Sequence, residues 1–209
     1  MAALSSVARS CGRLRPETTA FLLCDVQERF RDLIHCMPLV VSTSKLMGDA
    51  AAVLDIPVVV TEQYPKIFGA TMAEVGCAEG TPTFAKRKFS MLTDEVNEHM
   101  ATLGDRPSVV LYGIEAHVCV QQTCLDLLQQ GMEVHVLVDG VSSQRTIDRS
   151  VALRRMEKAG AFMTTSESLL FELLNDSTNP NFKAISKLVK DRPASEEWTH
   201  SGPDGGLMM

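Results

Sequence analysis

The chain has 209 residues, of which 45% are hydrophobic and 22% charged, and its formal net charge is −6. This length suits one well-buried domain, and the apolar content is that of an ordinary globular protein. No apolar run approaches the roughly 20 residues that cross a bilayer, which excludes a membrane-spanning helix. The negative charge disfavours nucleic-acid binding, because basic side chains that neutralise phosphates supply most of that affinity.

Residues 1–17 carry three arginines and a single acidic residue, Glu17. An arginine-rich and acid-poor leader is typical of a mitochondrial targeting segment, and a simple N-terminal tail is the alternative. We therefore expect the protein in the cytoplasm or in the mitochondrion.

Short β-branched runs alternate with helical patterns, which is typical of an α/β protein with a parallel sheet. In chain order, the predicted elements are a strand at 20–24, a helix at 38–55, a strand at 56–62, a short strand or extended edge at 83–86, a helix at 92–104, a strand at 108–115, a helix at 117–131, a strand at 133–140, a helix at 146–160, a strand at 161–167, and helices at 168–176 and 182–191. We predict a single-domain, doubly wound α/β/α sandwich with a mainly parallel sheet over residues 18–192. Residues 193–209 are rich in Pro, Gly and Ser and are predicted to form a flexible C-terminal tail.

Three residues with reactive or charged side chains fall at or beside predicted strand ends, namely Asp25, Lys86 and Cys119. In doubly wound folds, ligands bind beyond the carboxyl ends of the parallel strands. Cys119 is predicted in the first turn of a helix, where unpaired N–H groups and the helix dipole favour thiolate over thiol. A nearby lysine would favour the thiolate further, and Asp25 could accept the thiol proton as a general base.

Taken singly, each of these residues also has an ordinary structural interpretation. A cysteine on an apolar helix is more often a core residue, a strand-end aspartate often caps a turn, and a lysine in a KRK run is usually solvated. The six cysteines form no CxxC pair, no disulfide framework and no zinc-ligand spacing. Cys24 and Cys124 are interpreted as core residues, with Cys124 about 140° around the helix from Cys119.

Three segments, FLLCDVQERF, FAKRKFSM and GIEAHVCVQQT, resemble in this order the motifs of the isochorismatase-like cysteine hydrolases. The resemblance spans about residues 18–175, and TEQYP at 61–65 is similar to the isochorismatase-domain-containing branch. It implies a catalytic triad of Asp25, Lys86 and Cys119. Lys86 is selected over Lys88 because the family lysine stands four residues before a serine, which is Ser90 here.

The resemblance also implies a non-proline cis peptide between Ile114 and Glu115. The backbone amides of Glu115 and Cys119 would then form an oxyanion hole for the substrate carbonyl. In the implied mechanism, Asp25 deprotonates Cys119 and the thiolate attacks an amide carbonyl. Water then hydrolyses the thioester intermediate.

Matching family positions imply that Phe30, Tyr64 and His117 line the substrate pocket, with plain packing or a helix-start role as the alternative. Nicotinamidases of this superfamily bind a metal through Asp and His ligands after the second strand, where this chain has Gln63 and Pro65. We therefore predict no metal and no cofactor, and a substrate other than nicotinamide. True isochorismatases cleave a vinyl ether without a cysteine nucleophile, so the predicted nucleophile also disfavours that reaction.

The predicted function is a metal-independent hydrolase of a small amide or related acyl compound, and the predicted partner is a small-molecule substrate. Two alternatives stay open: a non-catalytic binding or scaffold protein on the same fold, and a nucleic-acid-processing role such as a ribonuclease, which the charge disfavours. Because members of this superfamily are commonly oligomers, we expect a homo-oligomer, a dimer or larger, without membrane or nucleic-acid partners.

Overall fold

The computed structural model describes residues 11–192. Six strands form one sheet in the order β3-β2-β1-β4-β5-β6, and every neighbouring pair is parallel. The strands are β1 Thr19–Cys24, β2 Val58–Gln63, β3 Thr83–Lys86, β4 Ser108–Ile114, β5 Glu133–Ser142 and β6 Phe162–Thr164. The helices are α1 Met37–Leu54, α2 Pro65–Phe68, α3 Asp94–Thr102, α4 Gln121–Gln129, α5 Thr146–Ala159, α6 Ser166–Leu174 and α7 Phe182–Asp191. Single turns of 3₁₀ helix lie at Pro16–Thr18, Glu28–Phe30 and Ala73–Val75, and a π-helical turn lies at Ala116–Val120.

The two central strands are buried along their whole length. Every residue of β1 and of β4 is buried, because helices cover both faces of a parallel sheet and leave no solvated face. This is why both strands appear in the sequence as continuous apolar runs rather than as alternating patterns. The predicted α/β sandwich with a parallel sheet is confirmed.

Two groups of helices cover the sheet. α1, α6 and α7 contact one another, and α1 and α6 also contact β5. α4 and α5 form a second group, which packs on β5 as well. The chain passes from β1 to β2 through α1 in one direction and from β4 to β5 through α4 in the opposite direction. Because both crossovers are right-handed, α1 and α4 lie on opposite faces of the sheet.

The predicted strand at 161–167 is shorter in the structure. β6 ends at Thr164, and the next residue, Thr165, is the N-cap of α6. The Thr165 side chain accepts a hydrogen bond from the backbone N–H of Ser168. The two threonines at the end of the predicted strand therefore have different roles. Thr164 ends the strand, and Thr165 begins the helix, where its side chain satisfies an otherwise unpaired N–H group.

Part of the predicted tails lies outside the described residues, namely residues 1–10 and the whole of 193–209. Within the described part of the predicted N-terminal segment, Leu14 is buried and its backbone N–H donates to Glu172 Oε1 on α6 at 3.0 Å. The domain boundaries stay a prediction. Among the described helices, none is both long enough and apolar enough to cross a membrane.

The strand order reverses between β1 and β4. The chain winds outward through β2 and β3 on one side of this point and through β5 and β6 on the other. In open α/β sheets, a crevice forms at such a switch point, outside the carboxyl ends of the strands. Asp25 and the turn that carries Cys119 follow the two strands that border it.

Gly113 allows β1 and β4 to approach closely at this point. It pairs with Cys24 across the sheet, and its backbone has a φ of 122°, which L-residues with a side chain rarely adopt. A Cβ atom at this position would lie 2.1 Å from the carbonyl oxygen of Cys24. This backbone conformation beside Cys24 therefore requires a residue without a side chain.

We expect Gly113→Ala to destabilise the protein by more than about 3 kcal/mol or to prevent soluble expression, because the methyl group would overlap the Cys24 backbone. The measurement is urea unfolding followed by circular dichroism.

Gly104→Ala is the matched control. Gly104 also has a positive φ, of 82°, but a Cβ atom at this position would have nothing within 4 Å of it. Only the conformational cost of about 1–2 kcal/mol should remain there. Equal losses for the two variants would show that close approach at Gly113 does not matter.

Candidate active site

Asp25 and Lys86 form a buried ion pair at the carboxyl end of the sheet. Lys86 Nζ donates to Asp25 Oδ2 at 2.6 Å, and the lysine and aspartate side chains are 0% and 2% exposed. The other carboxylate oxygen of Asp25 accepts a hydrogen bond from Thr61 Oγ1 at 2.8 Å. Lys86 ends β3, Thr61 lies on β2 and Asp25 follows β1, so three neighbouring strands contribute to one charged cluster.

The Lys86 ammonium has three further oxygen partners. These are Gln63 Oε1 at 2.7 Å and the backbone carbonyls of Lys88 at 3.2 Å and Phe89 at 2.8 Å. Burial alone would lower the pKa of Lys86, but the acidic groups around it, Asp25 among them, outweigh burial and raise the pKa above its ordinary value. The lysine therefore stays charged at neutral pH.

Gln63 has a role that the sequence did not predict. Its Oε1 accepts from Lys86 and its Nε2 donates to the carbonyl of Arg87 at 3.0 Å. Gln27 in turn accepts from the backbone N–H of Gln63 at 2.8 Å and donates to its carbonyl at 3.1 Å. Gln63 thus holds the lysine at the position where a metal-binding aspartate is expected in nicotinamidases.

Cys119 lies on the π-helical turn that follows β4, whereas the sequence predicted one continuous helix from residue 117. The Glu115 carbonyl accepts from the N–H groups of Val118 at 3.1 Å and Val120 at 3.2 Å before α4 begins. The second of these bonds spans five residues, which widens the turn, and such isolated turns often occur at functional sites. Thr123 Oγ1 donates to the Cys119 carbonyl at 2.7 Å and links the turn to α4.

Cys24, Asp25 and Cys119 come together in a buried cluster. One sulfur or carboxylate oxygen from each lies within 4.8 Å of the other two. The structure therefore brings all three residues of the predicted triad to one place, since Lys86 is bound to Asp25. The ammonium on the same carboxylate opposes a metal cation in this cluster.

Cys24 is a core residue, as predicted, and it also lies beside the reactive cluster. It is fully buried, but its thiol hydrogen-bonds to Cys119. Burial first, and then this hydrogen bond and the charge of Asp25, raise the pKa of Cys24 well above its ordinary value. Cys24 therefore remains a thiol that can donate to the Cys119 sulfur. Cys124 is a core residue as predicted, and burial raises its pKa to about 12.

A cavity of about 310 Å³ opens onto the cluster. Cys119 is only 6% exposed and borders this cavity together with Asp25. Phe30, which the sequence predicted at the pocket, lines it and stacks on Phe68, with ring centroids 4.9 Å apart. The remaining lining residues are Gln63, Phe89, Ile114, Glu115 and Val118.

Two residues predicted for the pocket lie elsewhere. Tyr64 does not line this cavity, and its ring lies under the guanidinium of Arg87, 4.2 Å from the ring centroid. His117 also lies outside the lining, with Nδ1 3.0 Å from Ser143 Oγ and 3.4 Å from the Glu115 carboxylate. In the sequence, both stand next to lining positions, and the local backbone turns their side chains away.

The peptide bond between Ile114 and Glu115 is cis. Both residues line the cavity, as does Cys119. Glu115 and Cys119, whose backbone amides are predicted to form an oxyanion hole, are thus both residues of the cavity wall. A larger groove of about 790 Å³ lies along α1 and α7, but its lining contains none of the triad residues.

Comparison with known proteins places these features in a family. The family model of the isochorismatase domain matches residues 19–168. The chain is 48% identical to the secreted isochorismatase effector Isc1 of Phytophthora sojae, over 91% of this chain and 93% of that protein. It is 43% identical to isochorismatase domain-containing protein 2 of Xenopus laevis, over 97% of this chain and 94% of that protein. Among solved structures, the MAR1 ribonuclease of Caenorhabditis elegans matches with a TM-score of 0.83 and 44% identity, over 87% of this chain and 95% of that chain.

We expect iodoacetamide to alkylate Cys119 below pH 8 and to leave Cys24 and Cys124 unmodified, because both have raised pKa values and are fully buried. Cys24→Ala removes the S–H donor and should slow alkylation of Cys119 several-fold. Site-resolved mass spectrometry measures the rates, which separates Cys119 from the exposed thiols Cys11 and Cys77.

Cys24→Ser is the matched control, since a hydroxyl retains a hydrogen-bond donor at this position. The serine variant should keep a rate close to that of the wild type. If both variants slow the reaction equally, the thiol acts through packing and not through its hydrogen bond.

Proposed function

The chain belongs to the isochorismatase family, and we propose that it is a metal-independent hydrolase that uses Cys119 to cleave a small amide or a related acyl compound. The observation that carries this proposal is the convergence of three residues from separate strands. Cys119, Asp25 and Lys86 meet at the switch point of the sheet, at the edge of a cavity. A thiol beside a carboxylate, which is itself oriented by a third group, is the arrangement that activates a nucleophile.

In the proposed first step, Asp25 accepts the Cys119 proton and the thiolate attacks the carbonyl carbon of the substrate. The backbone amides of Glu115 and Cys119 donate hydrogen bonds to the oxyanion. The tetrahedral intermediate collapses when the C–N bond breaks. Asp25 returns the proton to the leaving ammonia or amine.

In the second step, Asp25 takes a proton from a water molecule, which attacks the thioester carbonyl; the C–S bond breaks, the acid leaves, and the proton returns to the Cys119 sulfur. Lys86 keeps its charge next to Asp25 throughout, because its ammonium is bound to the carboxylate and to three other oxygens. It therefore keeps a positive charge beside the reacting groups in both steps. Cys24 contributes a thiol donor to the same sulfur.

We expect the wild-type protein to release ammonia from at least one member of a panel of small primary amides. Cys119→Ala should abolish turnover, and Asp25→Asn should lower kcat by about 100-fold or more, which is the usual contribution of a general base. A coupled assay for ammonia measures both.

Cys124→Ala is the control, because it removes a buried thiol five positions along the chain that takes no part in the proposed reaction. It should retain activity. If the protein is instead a binding or scaffold protein, the wild type will turn over no amide in the panel. Circular dichroism should then show that the wild type and all variants are folded.

RNA cleavage is the second candidate, because the Caenorhabditis elegans relative is named a ribonuclease. The site gives it less support. The residues lining the cavity include no lysine, arginine or histidine to bind a phosphate, and the whole chain has a net charge of −6.

We expect no cleavage of a single-stranded RNA oligonucleotide beyond the level seen with Cys119→Ala, measured by gel electrophoresis of end-labelled RNA. Cleavage by the wild type that disappears in Cys119→Ala would show that the same cysteine acts on RNA and would contradict the amide proposal. The predicted homo-oligomer and the predicted cytoplasmic or mitochondrial location stay predictions.

A further inference from the structure

The cavity beside Cys119 has a mostly apolar wall. Five of its lining residues are hydrophobic, and they are Phe30, Phe68, Phe89, Ile114 and Val118. The rings of Phe30 and Phe68 stack against each other, with their planes 22° apart. Phe89 lines the cavity and is 52% exposed, so part of its ring is left uncovered.

The polar groups at the cavity are already occupied. Gln63 uses its amide oxygen for Lys86 and its amide nitrogen for the carbonyl of Arg87. The Glu115 carboxylate accepts from Gln144 Nε2 at 2.7 Å. Apart from the reacting groups and their backbone amides, little hydrogen-bonding capacity is left for a polar substituent.

Among the described residues, none of those that line the cavity has a cationic side chain. The ionisable groups among the lining residues are Asp25, Glu115 and Cys119, which are all acidic. The Lys86 ammonium is 0% exposed and has four oxygen partners, so it cannot pair with a second anion. A carboxylate or phosphate group in this cavity would lose its hydration without gaining a counter-ion.

The size of the cavity sets an upper limit on the substrate. A volume of 310 Å³ is near the lower end of small-molecule sites. It corresponds to about ten heavy atoms, if each takes the ~30 Å³ that a water molecule occupies in the liquid.

From these observations we propose that the substrate of Cys119 carries a small, uncharged and apolar acyl group, of aryl or branched-alkyl type, that packs against the Phe30 and Phe68 rings. The proposal rests on the proposed function, since it assigns the acyl specificity of the same site. The acidic lining disfavours anionic acyl groups, and a cationic group would lose its hydration against the five apolar residues.

Aldehydes test this specificity without requiring turnover. The Cys119 thiolate adds to the aldehyde carbon, a C–S bond forms, and the π pair of the carbonyl moves to the oxygen, which takes up a proton. The product is a reversible hemithioacetal whose substituent occupies the place of the acyl group. Protection of Cys119 from iodoacetamide, followed by site-resolved mass spectrometry, then reports how well each substituent binds.

Three aldehydes of similar length are compared: 3-phenylpropanal, 4-methylpentanal and the anionic 4-oxobutanoate. We expect the two apolar aldehydes to protect Cys119 at concentrations at least tenfold lower than 4-oxobutanoate does. In Phe68→Ala, the half-protecting concentration of 3-phenylpropanal should rise about tenfold, because a large part of the aromatic surface is lost. 4-Oxobutanoate should be affected little by this substitution.

Phe182→Ala is the matched control, since Phe182 is a partly buried phenylalanine on α7 that packs against Phe171 and does not line the cavity. It should leave all three protection curves unchanged.

Better protection by 4-oxobutanoate than by the apolar aldehydes, or equal losses in Phe68→Ala and Phe182→Ala, would overturn the specificity proposal. Selective protection by the apolar aldehydes, combined with no hydrolysis of the corresponding amides, would support the specificity and count against the amide-hydrolase function alone. The two proposals can therefore fail separately.

Discussion

The buried ion pair between Lys86 and Asp25 is the interaction on which the arrangement of the site depends. Removing two charges from water costs several kcal/mol for each ion, and good geometry with additional partners is needed to offset that cost. Here the ammonium has four oxygen acceptors and the carboxylate has a second donor in Thr61. These contacts join the ends of β1, β2 and β3. Replacing a buried ion pair by hydrophobic residues of similar volume is often neutral or stabilising, so the stability of the fold alone does not account for this pair.

The same ammonium connects the charged cluster to the wall of the cavity. One of its acceptors is the backbone carbonyl of Phe89, whose side chain lines the cavity. Another is Gln63, which ends β2 and also lines it. Cys119 lies on the turn after β4, on the other side of the switch point. The cysteine and the charged pair are therefore held by different halves of the sheet. Gly113 sets the separation of these halves, since it lets β4 lie directly against the backbone of Cys24.

The sequence predicted the sheet well because its central strands are buried on both faces and appear as uninterrupted apolar runs. It also identified Asp25, Lys86 and Cys119, since the family resemblance adds to their positions at strand ends. The sequence did not predict the contacts of residues next to the site, because those contacts depend on the direction in which each side chain points after its strand ends. In the sequence, Cys24 was interpreted as a core thiol and Gln63 as the residue that replaces a metal ligand. In the structure, both also contact residues of the predicted triad. Phe68 was missed and Tyr64 was expected at the cavity, because Tyr64 is the N-cap of the short helix α2 and Phe68 is its last residue, and only the ring of Phe68 lines the cavity.

The wall of the cavity and the reacting groups come from different kinds of structure. Asp25 follows β1, Lys86 ends β3 and Cys119 lies on the turn after β4. Phe30 and Phe68 instead lie on short helical turns within connecting segments, and Phe89 lies in the segment after β3. Short connecting segments tolerate substitution and insertion better than the strands of a sheet. Selectivity can therefore diverge between relatives through changes in these segments while the reactive centre stays intact. The proposed nucleophile and the proposed acyl-binding wall can therefore change independently of each other.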